Sequence, residues 1–328
     1  MLRLGILGTG KIVQEFLPHL AQLDFAGTYL LSTPRSIARG QQLAAQYHIA
    51  HCVTDYDEIL QSSDVDVIYV ALPNHLHFSF AKQALEHGKH VICEKPMTSN
   101  ADELRTLRDI AQQHKVMLLE AMTLHHLPAY QAMRRDVSKI GPVKVISFNY
   151  SQYSSRYDAF LRGDVQPAFD PAQSGGALMD INVYNIHAML GLFGKPARVQ
   201  YAANMARGID TSGIALCAYP DFQAVCVGAK DCASHQTSVI EGERGEISVE
   251  GPLSCMTAYT ITYRDGSQET YTDPNPVYRM IPEFQAFARI LNAQDWEAHD
   301  RLMQCSLDAA DVLDEARRSA GIRFPADT

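Results

Sequence analysis

The sequence predicts an α/β protein, in which a doubly wound parallel sheet is followed by a second α/β domain with an open, mainly antiparallel sheet. Short apolar runs alternate with helical periods through residue 121, and after residue 122 short strands follow one another at turn sequences. The chain of 328 residues is also too long for one compact core. We therefore expect two domains, residues 1–121 and 122–328. An alternative is that the helices at the end of the chain pack back onto the first domain.

The first domain begins with an apolar run, residues 2–7, that leads into Gly8-Thr9-Gly10-Lys11-Ile12 and an amphipathic segment. This order predicts a strand, a tight turn and a helix. Gly8 allows the chain to reverse, and Gly10 lacks the Cβ that would keep the backbone away from a pyrophosphate. The pattern thus favours a dinucleotide at the helix N-terminus, against the alternative of an ordinary strand-turn-helix.

Further strands are expected at residues 27–31, 66–72, 90–93 and 116–119. Near-continuous apolar runs such as 66–72 and 90–93 suit a sheet that is covered on both faces. Between the last two, Ser99 and Asp102 resemble a capping box at the start of a helix.

The second domain is expected to begin with a helix over 128–140, stopped by Gly141-Pro142, and a half-exposed strand over 143–150. A long polar loop, residues 151–174, precedes a helix over 176–193 and is typical of a functional or mobile segment that sets specificity. Turn sequences between residues 197 and 272 predict a largely antiparallel sheet, and two helices close the chain.

Composition limits the possible partners and compartment. The net charge is −9 without a basic run, which argues against nucleic acid, and no run is apolar enough for a membrane helix. Seven cysteines without CxxC spacing indicate reduced thiols rather than disulfides or zinc. The short first apolar run, interrupted by Arg3, does not resemble a signal peptide, so we expect a cytoplasmic protein.

The end of the second strand bears on the choice of cofactor. No carboxylate occurs between Asp24 and Asp55, so the usual partner of the NAD ribose is missing. Hydroxyl and guanidinium groups that suit a 2′-phosphate lie there instead: Ser32, Thr33, Arg35 and Arg39. We therefore expect NADP in preference to NAD, although the arginines also fit the start of a solvated helix.

Two motifs offer catalytic groups. Glu94-Lys95-Pro96 follows the strand at 90–93, at the sheet edge where ligands bind, and the alternative is a surface lysine in a turn. Asp180, Tyr184 and His187 share one face of the helix over 176–193. That face could bind a hydroxylated substrate and move a proton, or could simply face water.

Taken together, the glycine turn, Glu94-Lys95-Pro96 and the run from Ser174 to Tyr184 resemble the glucose-fructose oxidoreductase, inositol dehydrogenase and MocA (Gfo/Idh/MocA) family in order and spacing. The resemblance implies a Rossmann domain, an α/β domain with an open sheet, and NAD(P)-dependent oxidation or reduction of sugars, polyols and related carbonyl compounds. Tyr184 and Phe169-Asp170-Pro171 resemble the dihydrodiol dehydrogenase branch and the glucose-fructose oxidoreductase branch, and the motifs are most similar to the former.

The same resemblance assigns roles to residues. Lys95 is implied to be catalytic, and the family's Leu-Pro-Asn-x-x-His element is matched by Leu72, Pro73, Asn74 and His77, next to the cofactor with Glu94. His125 stands where many relatives have an arginine, so that substrate contact is expected to be weaker or pH-sensitive.

The mechanism we expect pairs hydride transfer with protonation of an alkoxide. Tyr184 is the expected donor and Lys95 its tuner, because a nearby ammonium favours the phenolate form; Lys95 as the direct donor is the alternative. Asp180 would orient substrate hydroxyls. His187 is a weaker candidate for substrate binding, equally consistent with an interface histidine.

Three further expectations follow. A non-catalytic NAD(P) sensor of the same fold is the competing function, but it has no need for Lys95, Asp180 and Tyr184 together. A metal hydrolase is disfavoured, and no metal expected, because the histidine pairs His75/His77 and His125/His126 have no accompanying ligand pattern. An open sheet face predicts a homodimer or homotetramer.

Overall fold

A computed structural model of the protein describes residues 1–327. Its contacts divide the chain into two compact units. The first contains Met1–Ala121 and Met280–Gln304, and the second contains Met122–Arg279 and the chain from Cys305 onward.

The first unit contains a sheet of six parallel strands in the order β3-β2-β1-β4-β5-β6. The strands are β1 (Leu2–Leu7), β2 (Phe25–Leu31), β3 (His51–Val53), β4 (Val67–Val70), β5 (His90–Glu94) and β6 (Leu118–Ala121). The helices between them are α1 (Lys11–Phe16), α2 (Ile37–Gln46), α3 (Tyr56–Gln61), α4 (Asn74–Glu86) and α5 (Ala101–His114). The order reverses between β1 and β4, as in a doubly wound sheet, so the predicted fold class is confirmed here.

Two details of this unit differ from the sequence expectations. The edge strand β3 was not predicted, because its three residues are too few to form a periodic pattern. The cap of α5 lies one residue later than Ser99 and Asp102 suggest. Asn100 accepts a hydrogen bond from the Glu103 backbone N–H (2.8 Å), and the Glu103 carboxylate accepts one from the Ser99 N–H (2.9 Å). Asn100 is therefore the N-cap of α5, and the Glu103 side chain binds the backbone of the residue that precedes the cap.

The second unit contains an eight-stranded sheet in the order β14-β13-β12-β11-β7-β10-β9-β8. The strands are β7 (Val143–Ser151), β8 (Arg198–Ala206), β9 (Ile209–Ala218), β10 (Gln223–Ala229), β11 (Thr237–Gly242), β12 (Gly245–Glu250), β13 (Ala258–Tyr263) and β14 (Gln268–Thr272). Only β7 and β10 pair in parallel among these strands, so the prediction of a mainly antiparallel sheet is confirmed.

The remaining helices are α6 (Pro128–Asp136), α7 (Tyr157–Leu161), α8 (Val183–Phe193), α9 (Met280–Ala293) and α10 (Trp296–Ser319). Of the two closing helices, α9 belongs to the first unit, and α10 contributes its residues from Cys305 onward to the second. No helix within residues 1–327 has the length and apolar character needed to cross a membrane.

Two predicted segments of the second unit are more structured than expected. The polar loop over 151–174 contains α7, and its rings Phe160 and Phe169 stack 5.0 Å apart in the core. The helix predicted over 176–193 begins as a π-helical turn, Leu178–Asn182, and continues as α8. Because π-turns are frequent at functional sites, this turn is a candidate part of the active site.

Candidate active site

The glycine turn of the first unit has the backbone geometry that dinucleotide binding requires. Gly8 has φ +106°, and a Cβ there would lie 2.7 Å from the Ala71 carbonyl oxygen. Gly10 is extended, and its Cβ position has no atom within 4 Å. Only glycine fits comfortably at the first position, and the second leaves open space in front of α1. These residues fit a nucleotide pyrophosphate.

The other predicted contacts of this turn are local. The Thr9 carbonyl accepts a hydrogen bond from the Gln14 side chain (2.8 Å), which holds the turn against α1. Lys11 is exposed and pairs with Glu15 at 3.7 Å, and Ile12 follows it in α1.

The end of β2 presents hydroxyl groups and an exposed guanidinium. Ser36 Oγ lies 2.9 Å from Ser32 Oγ and 2.8 Å from Thr33 Oγ1, and Arg35 is exposed beside them. Arg39 instead hydrogen-bonds the side chain of Gln14. Arg35 is thus the guanidinium available to a 2′-phosphate at this edge.

His77 connects two of the predicted motifs. Its Nε2 lies 2.7 Å from the Leu72 carbonyl oxygen and its Nδ1 2.9 Å from the Pro96 carbonyl oxygen, and the ring is completely buried. Burial lowers the pKa of His77, which favours the neutral ring, and a neutral ring donates to one of these two carbonyl oxygens. The histidine therefore positions the Leu72-Pro73-Asn74 element, where α4 begins, relative to the loop that contains Lys95.

That loop is fixed on both sides of Lys95. The Tyr69 hydroxyl donates to the buried Glu94 carboxylate (2.6 Å), and the Met97 N–H donates to Glu120 (3.1 Å). Lys95 itself is half-buried. The two hydrogen bonds therefore hold the residues on either side of the lysine, at the carboxyl end of β5.

In the second unit, Asp210 holds the start of the π-turn in place. This buried carboxylate accepts the Leu178 N–H (2.7 Å) and the Tyr201 hydroxyl (2.8 Å). Gly176 has φ +107°, and a Cβ there would lie 2.1 Å from Asp210 Oδ1, so a side chain is excluded. The glycine and the carboxylate together determine where the turn begins.

Asp180 lies within this turn and pairs with a lysine that the sequence analysis did not single out. Lys230 Nζ donates to Asp180 Oδ2 (2.5 Å) and to the Ala168 carbonyl (2.8 Å), and lies 4.2 Å from the Phe169 ring centroid. The lysine side chain is 3% exposed and the aspartate side chain 34% exposed. Asp180 therefore keeps one accessible side that can accept from a substrate hydroxyl.

Tyr184 follows one turn later and is 8% exposed. Its hydroxyl lies 3.5 Å from Arg279 Nη1, at the limit of a hydrogen bond, and its ring lies 5.9 Å from that of Tyr150. Arg279 is therefore a positively charged neighbour of the Tyr184 hydroxyl within the second unit.

His187 is 1% exposed, and its Nδ1 lies 3.1 Å from Nε2 of His125. The alternative that the polar face of this helix points to water is wrong, because both Tyr184 and His187 are buried. The three residues nevertheless face different partners: Lys230, Arg279 and His125.

Sequence reasoning missed Lys230, Arg279 and Asp210. For Lys230 a signal existed, because it directly follows the buried strand β10, just as Lys95 follows β5. Arg279 and Asp210 had none, since their partners lie 95 and 32 positions away.

Comparisons with known proteins show which family the chain belongs to. A family model described as an oxidoreductase family with an NAD-binding Rossmann fold matches residues 2–122, and a GFO/IDH/MocA C-terminal domain model matches residues 130–248. The chain is 37% identical to scyllo-inositol 2-dehydrogenase (NADP(+)) IolU of Bacillus subtilis over 331 residues, which cover 100% of this chain and 99% of the relative.

Two further proteins extend the comparison. A dTDP-3,4-didehydro-2,6-dideoxy-alpha-D-glucose 3-reductase of Streptomyces violaceoruber is 33% identical, covering 98% of this chain and 94% of the relative. The crystal structure of KijD10, a 3-ketoreductase from Actinomadura kijaniata in complex with NADP and TDP-benzene, superposes with a TM-score of 0.83 at 22% identity, covering 97% of each chain.

Proposed function

The chain belongs to the Gfo/Idh/MocA family of oxidoreductases, and we propose that it is an NADP-preferring dehydrogenase or reductase acting on a sugar, polyol, dihydrodiol or related carbonyl compound. The observation that carries the proposal lies at one edge of the parallel sheet. The glycine turn ends β1, and the clamped loop with Lys95 ends β5. Ligands of doubly wound sheets bind at this carboxyl edge.

The cofactor contacts we propose are those of the first unit. The N–H groups after Gly10 would meet the pyrophosphate, and Arg35 with Ser32 and Thr33 would meet a 2′-phosphate, since guanidinium binds phosphate in a fixed geometry. No carboxylate stands at the end of β2 to repel that phosphate. When bound, a nicotinamide cofactor supplies or accepts the hydride.

The residues of the second unit are proposed to bind the substrate and to transfer its proton. We propose that the Tyr184 hydroxyl gives its proton to the alkoxide oxygen in reduction and takes one in oxidation, and that Arg279 stabilises the phenolate that results. The resemblance to the family implies that Lys95 is catalytic as well. Asp180 is proposed to accept a hydrogen bond from a neighbouring substrate hydroxyl. Lys230 holds that carboxylate in place. Lys95 as the proton donor is the alternative that the Lys95 and Tyr184 variants described below separate.

The substrate class rests on the relatives. One acts on scyllo-inositol and another on a dTDP-linked sugar, and both span nearly the whole chain. Cyclic polyols and keto sugars are therefore the first compounds to test.

The test is a fluorescence titration with NADPH and NADH in parallel, followed by a panel of inositols, aldoses, keto sugars and dihydrodiols read by nicotinamide absorbance. We expect NADPH to bind at least about 10-fold more tightly, because a charge-assisted phosphate contact contributes roughly 1.5–3 kcal/mol. Arg35→Ser should remove that preference, whereas Arg108→Ser, on the outer side of α5, should not. Tighter NADH binding would overturn the cofactor proposal. Tight NADPH binding without turnover of any compound would favour the alternative function, a non-catalytic NAD(P) sensor.

We also propose a homodimer or homotetramer built on the open face of the second sheet. Val145, Ile214 and Leu216 are 42%, 46% and 44% exposed, and they lie on β7 and β9 on either side of β10. A patch of this kind on a flat sheet suits a second copy of the same surface. Light scattering should give a multiple of 36.4 kDa for the native chain and a smaller species for Leu216→Lys. A native monomer would contradict this.

For the compartment we propose the cytoplasm. All seven cysteines are free thiols, which is usual in a reducing compartment.

A further inference from the structure

Three side chains that commonly bind metal ions meet inside the second unit. His125 comes from a short 3₁₀ helix (Thr123–His126), His187 from α8 and Cys305 from α10. Their potential ligand atoms are His125 Nε2, His187 Nδ1 and Cys305 Sγ, and the separations are 3.1 Å between the nitrogens, 3.5 Å from sulfur to His125 and 4.0 Å from sulfur to His187. Among residues 1–327, no other group of three histidine, cysteine or carboxylate side chains meets in this way.

The separations match the edges of a tetrahedral zinc site. With Zn–N bonds of about 2.0–2.1 Å and a Zn–S bond of about 2.3 Å, tetrahedral angles place two nitrogens about 3.3 Å apart and each nitrogen about 3.6 Å from the sulfur. One point lies at bonding distance from all three atoms after shifts of a few tenths of an ångström. Two imidazoles and one thiolate are also a ligand set that zinc prefers.

The surrounding residues hold the two imidazoles in this arrangement. Gly191 lies one turn after His187, and a Cβ there would be 3.1 Å from His125 Cε1 and 2.3 Å from the Tyr130 hydroxyl. The His125 and Tyr130 rings therefore occupy the space that a side chain would fill. The Tyr130 hydroxyl donates to the Ala188 carbonyl (2.8 Å), and the His125 carbonyl accepts from Gln131 (3.2 Å). The rings of His125 and His187 are inclined at 66°, so they meet through nitrogen atoms rather than by stacking.

The charge state of the cluster also suits a cation. The His187 side chain is buried and that of His125 is half-buried. Neutral imidazoles carry the nitrogen lone pair that a metal requires. On binding, the Cys305 thiol would release its proton to solvent, and the thiolate would neutralise one of the two charges of the ion.

We propose that His125, His187 and Cys305 form a binding site for Zn²⁺ or a similar borderline divalent cation, with the fourth position open to water. The proposal departs from the expectation that no metal is bound. The histidine pairs gave no ligand pattern because the third ligand lies 118 positions beyond His187. It is independent of the proposed function, since it uses His125 Nε2 and His187 Nδ1 for the ion and not for a substrate hydroxyl.

The experiment titrates the full-length, metal-stripped protein with Co²⁺, a spectroscopic substitute for Zn²⁺. We expect one ion per chain, with a sulfur-to-cobalt charge-transfer band and the visible bands of tetrahedral Co²⁺, both lost when Zn²⁺ is added. Cys305→Ser should abolish the charge-transfer band and weaken binding at least 10-fold. Cys232→Ser, which removes an exposed thiol outside the cluster, should leave both unchanged.

A second variant protects the test against misfolding. His187→Gln keeps the thiol and should weaken Co²⁺ binding at least 10-fold, and circular dichroism with NADPH titration checks that each variant is folded. A native protein that gives no thiolate band would overturn the proposal. So would a band of equal strength in Cys305→Ser, because that band would belong to another cysteine. Neither outcome depends on turnover, so failure here is distinct from failure of the proposed function.

Discussion

In the first unit the candidate cofactor contacts depend on backbone conformation, whereas in the second unit the candidate substrate groups depend on distant side chains. Gly8 and Gly10 act through a positive φ and an empty Cβ position directly after β1. Asp180 and Tyr184 are held by Lys230 and Arg279, which are 50 and 95 positions away. A backbone site is encoded in a few consecutive residues, but a site built from side-chain pairs exists only after the chain has folded.

Among the variants that test this difference between the two units, we expect the largest loss of activity at Lys95. The backbone of the first unit positions this side chain. Lys95→Met should lower kcat by about 10³-fold, because the variant loses an ammonium that is proposed to take part in proton transfer. Binding of NADPH should change little, because the methionine keeps the length of the side chain. Stopped-flow kinetics with the best compound of the substrate panel measures kcat, and fluorescence titration measures the affinity for NADPH. Lys82→Met, on the outer side of α4, is the control. Turnover within threefold of the native rate would remove Lys95 from the reaction.

Tyr184→Phe should lower kcat by about 10²-fold with unchanged NADPH affinity, since only the donated proton is lost. Comparison with Lys95→Met distinguishes the two donors. If Tyr184 donates, kcat should fall in both variants; if Lys95 donates, kcat should fall only in Lys95→Met. Tyr263→Phe removes an exposed phenol that donates to Glu269 and is the matched control. A variant that retains native turnover would leave Lys95 as the donor.

The same division explains how much could be predicted from the sequence. The parallel sheet, the glycine turn and the position of Lys95 were predictable because apolar runs, glycines and strand ends are local features. The π-turn was not, since it depends on Asp210, whose carboxylate reaches the Leu178 N–H from a neighbouring strand. The helical spacing of Asp180, Tyr184 and His187 correctly placed them on one helix but could not give their partners. Spacing along one helix carries no information about what packs against it.

The Lys230–Asp180 pair should contribute more to stability than an exposed pair of similar length. Lys230→Met leaves Asp180 without its cation, and we expect a loss of about 2 kcal/mol, less than for a fully buried pair because solvent reaches the carboxylate. The KM for a polyol should rise as well, since the carboxylate loses its fixed position. Lys195→Met breaks the exposed pair with Asp311 and should cost less than about 1 kcal/mol. Urea unfolding of both variants gives the difference, and equal losses would mean that burial of Lys230 adds nothing.

The smallest effect concerns a side-chain pair in the first unit, where Arg3 donates to both carboxylate oxygens of Asp66 at 2.6 and 3.0 Å. These hydrogen bonds lower the pKa of Asp66 below its ordinary value of 3.8, so the pair stabilises the folded state above that pH and loses its effect as the pH falls below it.

Arg3→Gln should therefore lower the free energy of unfolding only slightly at pH 7, because both groups are partly exposed, and the difference from the native protein should shrink towards zero in acid. Urea unfolding at several pH values measures it. Arg105→Gln, whose partner Asp102 is 95% exposed, should have no measurable effect at any pH. NADPH affinity and turnover should be unchanged in Arg3→Gln. If they were not, distant side-chain pairs would control function in the first unit too, and the contrast between the two units would fail.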